Sequence, residues 1–228
     1  MALPWLRWAV IARRHPSALL LTVQLAGILL YPLMETAPGG RAIFGAFGIL
    51  VLALALWVVN RGPTSLWVAL LLAVPSVILS LLAAALGNVH LQIVAHLLES
   101  ALYFYTAGSL TAYMLQDHRV TSDELYAAGA TFTLLAWGFA FAFSVCQQWY
   151  PGSFIAAVHP EQPRTWMELL FLSFSLLSGV GLSDIVPVQP QARALVMLEQ
   201  FAGVMYIALV VSRLIGLTTL KMSGRKDL

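Results

Sequence analysis

Apolar runs of roughly 17 to 25 residues recur along this chain, each long enough to cross or nearly cross a hydrocarbon core of about 30 Å as a helix. They lie at 17–33, 42–59, 66–86, 91–115, 125–149 and 193–219, separated by short polar breaks rich in turn residues. Of the 228 residues, 60% are hydrophobic and 10% charged, whereas soluble domains carry about 25% charged residues. Mean hydropathy is +0.85. A water-soluble fold cannot hide this much apolar surface, so the solvent is a bilayer. Backbone polar groups in lipid must be satisfied internally, and runs of this length satisfy them as helices. The expected fold is an all-α membrane protein of six transmembrane helices.

The net charge of +2 and the scatter of basic residues beside apolar runs give no nucleic-acid footprint. One cysteine, Cys146, excludes an intrachain disulfide and reads as a small apolar filler. Arg13 and Arg14 precede the first run, as in a secretory signal. That run is too long for a signal's apolar region, and no small-residue cleavage site follows it, so it is read as a retained span.

Orientation follows from Lys and Arg placement. With both termini cytoplasmic, Arg7, Arg13, Arg14, Arg61, Arg119, Lys221, Arg225 and Lys226 fall inside, while Arg41, Arg164 and Arg193 fall outside. Trp57 and Trp67 then sit at the inner interface, and Trp149, Tyr150 and Trp166 at the outer one. This gives an interfacial N-terminal segment at 1–16, a four-helix membrane domain at 17–120, a C-terminal membrane domain at 121–220 and a cytoplasmic tail at 221–228. The fourth run holds no Lys or Arg, which argues against voltage sensing by moving arginines. It does hold His96 and Glu99, three residues apart and on one helix face. They read as a structural pair or, less simply, as a proton-sensing site.

Between the fifth and sixth runs lies Trp166–Leu177, about 12 residues and too short to cross. It is followed by Ser178-Gly179-Val180-Gly181-Leu182-Ser183-Asp184, then Ile185-Val186-Pro187. A half-length helix running into glycines implies a re-entrant element, because non-helical backbone at membrane depth is tolerated where it lines a cavity. Glycines permit backbone angles that turn carbonyl oxygens toward an axis, and carbonyls so turned replace an ion's water shell. The helix end beside them carries partial negative charge and favours a cation.

These residues resemble the filter of the potassium-channel pore-loop family, T-T-V-G-Y-G-D then x-x-P, with Val180, Gly181, Asp184 and Pro187 matching. The filter threonine is replaced by Gly179, the tyrosine by Leu182 and the outer glycine by Ser183. The last run resembles the inner helix of small bacterial channels. The resemblance implies a homotetramer in the cell inner (plasma) membrane, conducting potassium or another monovalent cation passively. Carbonyls of Gly179, Val180, Gly181, Leu182 and Ser183 would line the filter and hold potassium or sodium, with Ser178 entering it and Asp184 at its outer mouth. Glu199 and Glu168 would brace it, Gly203 would flex the inner helix, and Ala208, Val211 and Ile215 would form a gate. A left-handed backbone at Ser183 would cost roughly 1–2 kcal/mol. No cofactor is expected.

An enzyme is the competing class. Gly181-Leu182-Ser183-Asp184 is a near miss to the G-x-G-D motif of intramembrane aspartyl proteases. That chemistry needs a second intramembrane aspartate sharing a proton, and Asp117, Asp123 and Asp227 are placed in loops or tails. A transporter would show matching interrupted helices in two halves, and only one interrupted element is seen. A non-conducting subunit is the remaining alternative.

Overall fold

A computed structural model describes residues 16–36, 40–60, 64–116 and 122–223. The N-terminal segment, the turns around Pro38 and Arg61, Arg119 and the tail beyond Ser223 lie outside the described residues. The chain forms α1 (Pro16–Thr36), α2 (Gly40–Val59), α3 (Leu66–Leu86), α4 (Val89–Gln116), α5 (Ser122–Trp149), β1 (Phe154–Ala156), α6 (Trp166–Leu177), β2 (Ile185–Pro187) and α7 (Pro190–Ser223). The six runs are thus six long helices, with the half-length helix between the last two.

Four of them are long and apolar enough to cross a membrane, through Pro16–Leu33, Leu66–Leu86, Asp123–Trp149 and Pro190–Arg213. Helix α4 falls short on apolarity because its N-terminal half carries His90, Gln92, His96 and Glu99. In α2 the apolar stretch identified is Ala46–Val59.

Two compact units emerge. One draws on Met1–Ala69, Tyr105–Thr133 and Gly216–Leu228, the other on Leu70–Phe104 and Leu134–Ile215. In the first unit, α1 runs beside α5. Ser17 Oγ donates to Asp123 Oδ2 at 3.0 Å, Leu21 packs on Gly129, and Thr133 Oγ1 donates to Gln24 Oε1 at 2.7 Å. Residue numbers rise together along this seam, so the two helices are parallel. The seam corrects one expectation: α5 starts at Ser122, which puts Asp123 in its first turn, buried, rather than in a loop. A carboxylate suits that positive helix end.

In the second unit α4 packs antiparallel on α5. Ser100 Oγ donates to the Gly138 carbonyl at 2.8 Å, and the Phe104 ring covers Gly138. Tyr103 stacks on Phe141 with centroids 5.6 Å apart and leans on Trp137 at 5.8 Å. His96 and Glu99 do not pair with each other. His96 Nδ1 meets Ser144 Oγ at 3.1 Å and Gln148 Nε2 at 3.3 Å on α5, and Glu99 accepts from Ser80 on α3 at 3.0 Å. Their three-residue spacing places them on one stretch of α4, but different neighbours claim them.

Candidate functional site

Helix α6 forms where it does because both ends are chemically specified. Thr165 caps its start: Thr165 Oγ1 accepts from the Glu168 N–H at 3.3 Å, and Glu168 Oε2 accepts from the Thr165 N–H at 2.6 Å. This reciprocal box satisfies two N–H groups that would otherwise be orphaned. Glu168 therefore stands at the far end of α6 from the glycines, where it caps the helix. It also accepts from Arg164 Nη1 at 3.2 Å. The buried Arg164 guanidinium gathers the loop before α6, donating to the carbonyls of Val158 at 3.4 Å, His159 at 2.6 Å and Gln162. In the sequence alone Arg164 reads only as an outside charge. The T-x-x-E spacing of 165–168 was the available signal for the cap.

The first turn of α6 packs on α5 through Trp166, whose ring lies 5.1 Å from Trp137 and 5.8 Å from Phe141. Midway, Ser173 Oγ donates to the Ala136 carbonyl of α5 at 2.8 Å and is hydrogen-bonded to Glu199 Oε1 of α7. Glu199 has no exposed surface, and its Oε2 is buried without a partner in the described structure. A buried polar group costs free energy unless bonded, so this node joins three helices at a position where errors of placement are expensive. Ser173 was not anticipated. A serine in an apolar helix is a weak signal until its helical neighbours are known.

The C-terminal end is closed by Ser178 N–H to Phe174 O and Gly179 N–H to Leu176 O, both 3.1 Å, and Gly181 N–H to Ser175 O at 3.0 Å. Gly179 has φ +74° and Gly181 φ +70°. Both lie in the left-handed region that glycine enters without a Cβ clash. Val180 between them keeps a negative φ. The strand from Gly179 to Leu182 is exposed, with Val180 at 70% and Leu182 at 73%. Among the described residues, no hydrogen bond within the chain reaches the carbonyls of residues 179–182.

Ser183 does not take the left-handed backbone that its glycine counterpart suggested. Its φ is negative, and its Oγ accepts from the Ile185 N–H at 3.1 Å, so the expected strain is not incurred. Asp184 is exposed beside it. Residues Ile185–Pro187 then pair antiparallel with Phe154–Ala156, a two-stranded ribbon absent from the sequence reading.

Gly203 lies inside the continuous helix α7, and a Cβ there would collide with the Leu177 carbonyl and come within 2.9 Å of Leu177 Cα. Close approach of α7 to the end of α6 is thus a packing reason for glycine at this position. Ala208 and Val211 are exposed further along α7; the Ile215 side chain lies outside the described ones.

Residues 129–219, from within α5 through the glycine segment into α7, match the family model of ion channels, which supports the likeness of this segment to the potassium-channel pore-loop family. No curated relative and no solved structure matches the chain. The protein is a helical membrane protein carrying a cation-channel domain.

Proposed function

We propose that the chain is one subunit of a homotetrameric, six-span channel of the cell inner membrane. Potassium passes through it down its gradient, between backbone carbonyls of Gly179, Val180, Gly181 and Leu182. The observation that carries this reading is the exposed segment after α6, with carbonyls that no hydrogen bond among the described residues meets and left-handed glycines on either side of Val180. Backbone carbonyls need partners. In a membrane, a row of them around a shared axis is met by dehydrated cations. One strand per chain supplies a quarter of a four-fold filter.

The outer surface of α7 supports assembly. Met197, Phe201, Val204, Ala208 and Val211 are all exposed and recur at alternating steps of four and three. This is the spacing of a helix seam, and Ile215 continues it in sequence. Ala208 and Val211 then face the inner end of the conduction path as gate residues, Ile215 is the third gate residue by its place in the sequence repeat, and Asp184 concentrates cations at the outer mouth. The positive-inside balance supports cytoplasmic termini.

The test is cation uptake into liposomes holding the purified protein, with potassium or sodium as the permeant ion, for wild type and Gly181→Ala. Potassium uptake without sodium uptake, abolished by Gly181→Ala, is the expected result. Absence of uptake in wild type would sink the channel reading. The exposed Leu182, where the family braces its filter with tyrosine, favours a second reading: a wider pore that passes both ions.

A further inference from the structure

The missing tyrosine leaves a specific structural question: what fixes the outer end of the filter strand. Residues 179–182 are exposed, and inside the chain the strand is held from α6 by the Gly179 and Gly181 N–H groups at its inner end. Its outer end, by contrast, runs directly into a built structure. Asp184 is followed by Ile185, which is 2% exposed and is the first residue of β2. The ribbon register pairs Ala156 with Ile185, Ile155 with Val186 and Phe154 with Pro187. One further bond extends the ladder, from Val188 N–H to the Ser153 carbonyl at 2.9 Å. Gln189 Nε2 reaches the Pro151 carbonyl at 2.9 Å, and Arg193 Nε the Pro187 carbonyl at 3.3 Å.

The partner strand is itself anchored. Phe154 is buried, and its ring lies 5.1 Å from that of Phe143 on α5. Ser153 is tied back to Tyr150 at the end of α5 by its N–H at 3.1 Å and by its hydroxyl. Force on the exit of the filter strand therefore passes through β2 and β1 to α5. A two-stranded ribbon alone is marginal in water, but this one is pinned at Phe154 and Ile185 by apolar burial.

We infer that the β1–β2 ribbon is the outer clamp of the filter, with Phe154 and Ile185 as positioning residues for ion discrimination in place of the absent tyrosine. This rests on the filter reading above. Coordination by carbonyls discriminates between ions through the number and placement of oxygens, so a slack exit lets the strand spread and admits the wrong ion.

The test compares rubidium and sodium uptake by the full-length protein in liposomes. Phe154→Ala removes the anchor without touching residues 178–184. A second variant adds a lock: Ile155→Cys and Val186→Cys stand directly opposite on the outward side of the ribbon, where antiparallel Cα spacing falls within disulfide range. The lock is placed in the Phe154→Ala background and oxidised or reduced. The expected result is a rubidium-to-sodium ratio that falls at least about fivefold in Phe154→Ala, through loss of carbonyl placement. It recovers when the cysteine pair is oxidised and falls again on reduction. Recovery by the lock is a readout that general destabilisation would not give. Uptake by Phe154→Ala with an unchanged ratio overturns the clamp and leaves the channel reading intact. So does a wild-type ratio near one, since there would be no discrimination to maintain. A Phe154→Ala protein that stays non-selective or inactive when the lock is closed also overturns the clamp. No uptake by wild type overturns both readings.

Discussion

The backbone of α7 at Gly203 passes so close to Leu177, the last residue of α6, that a Cβ at Gly203 would collide with the Leu177 carbonyl. In an open helical site, Gly→Ala stabilises by roughly 0.5–1 kcal/mol. At Gly203 the added methyl meets backbone, which cannot rotate away, and overpacking costs typically about 1–3 kcal/mol. Gly203→Ala should therefore lower the thermal midpoint of the detergent-solubilised protein. Gly108→Ala, where nothing lies within 4 Å of the added atom, should leave it unchanged or raise it. Equal behaviour of the two variants would remove the packing account and return Gly203 to a hinge.

Glu199 and Ser173 give a second expectation. Glu199→Gln keeps a group that can donate to Ser173 Oγ while Ser173 donates to Ala136. Glu199→Leu keeps the volume and removes the bond. Leaving a buried hydroxyl without its partner costs about 1–3 kcal/mol. Glu199→Leu should thus be destabilised by about that amount relative to Glu199→Gln, and Ser173→Ala should abolish the difference between the two. Additive losses in that double-mutant cycle would show that the residues act independently.

Backbone handedness yields a third. Gly179 (φ +74°) and Gly87 (φ +62°) both occupy left-handed angles with open space around them. Alanine at either should cost roughly 1–2 kcal/mol from the angle alone. Only Gly179→Ala should change cation uptake into liposomes. If Gly87→Ala abolishes uptake as fully, the effect is one of folding and not of the filter.

The cap of α6 gives a fourth. Thr165→Ala removes the hydroxyl that holds the Glu168 N–H, and loss of an N-cap costs typically about 1 kcal/mol. The loop from Val158 to Gln162 should remain protected, because Arg164 still binds its carbonyls. Arg164→Leu should do the reverse and expose that loop to limited proteolysis. Cleavage of 158–162 in Thr165→Ala but not in Arg164→Leu would invert the assignment.

Much of this was readable in advance, and the reasons are local. Trp166–Leu177 emerges with the bounds expected from its apolar run, since Thr165 starts it and the glycines end it. Gly179 and Gly181 were singled out because few other residues tolerate such angles. The ribbon was not legible: three-residue strands have no periodicity to detect, and their pairing joins segments about 30 residues apart. The separate partners of His96 and Glu99 were equally hidden. Helical spacing says which residues share a face, but not which neighbouring helix each will meet. Ser183 differs for another reason: a family pattern aligns residue types and not backbone angles, and here the position keeps a negative φ with its hydroxyl accepting from the Ile185 N–H.

The parallel course of α1 and α5 sets a parity. Both are spans by length and composition, and residues 17, 21 and 24 advance along 123, 129 and 133 in the same direction. A polypeptide that returns to the same heading has reversed an even number of times, so the segment between these helices traverses the bilayer an odd number of times. The starts of α1 and α5 consequently open to one compartment.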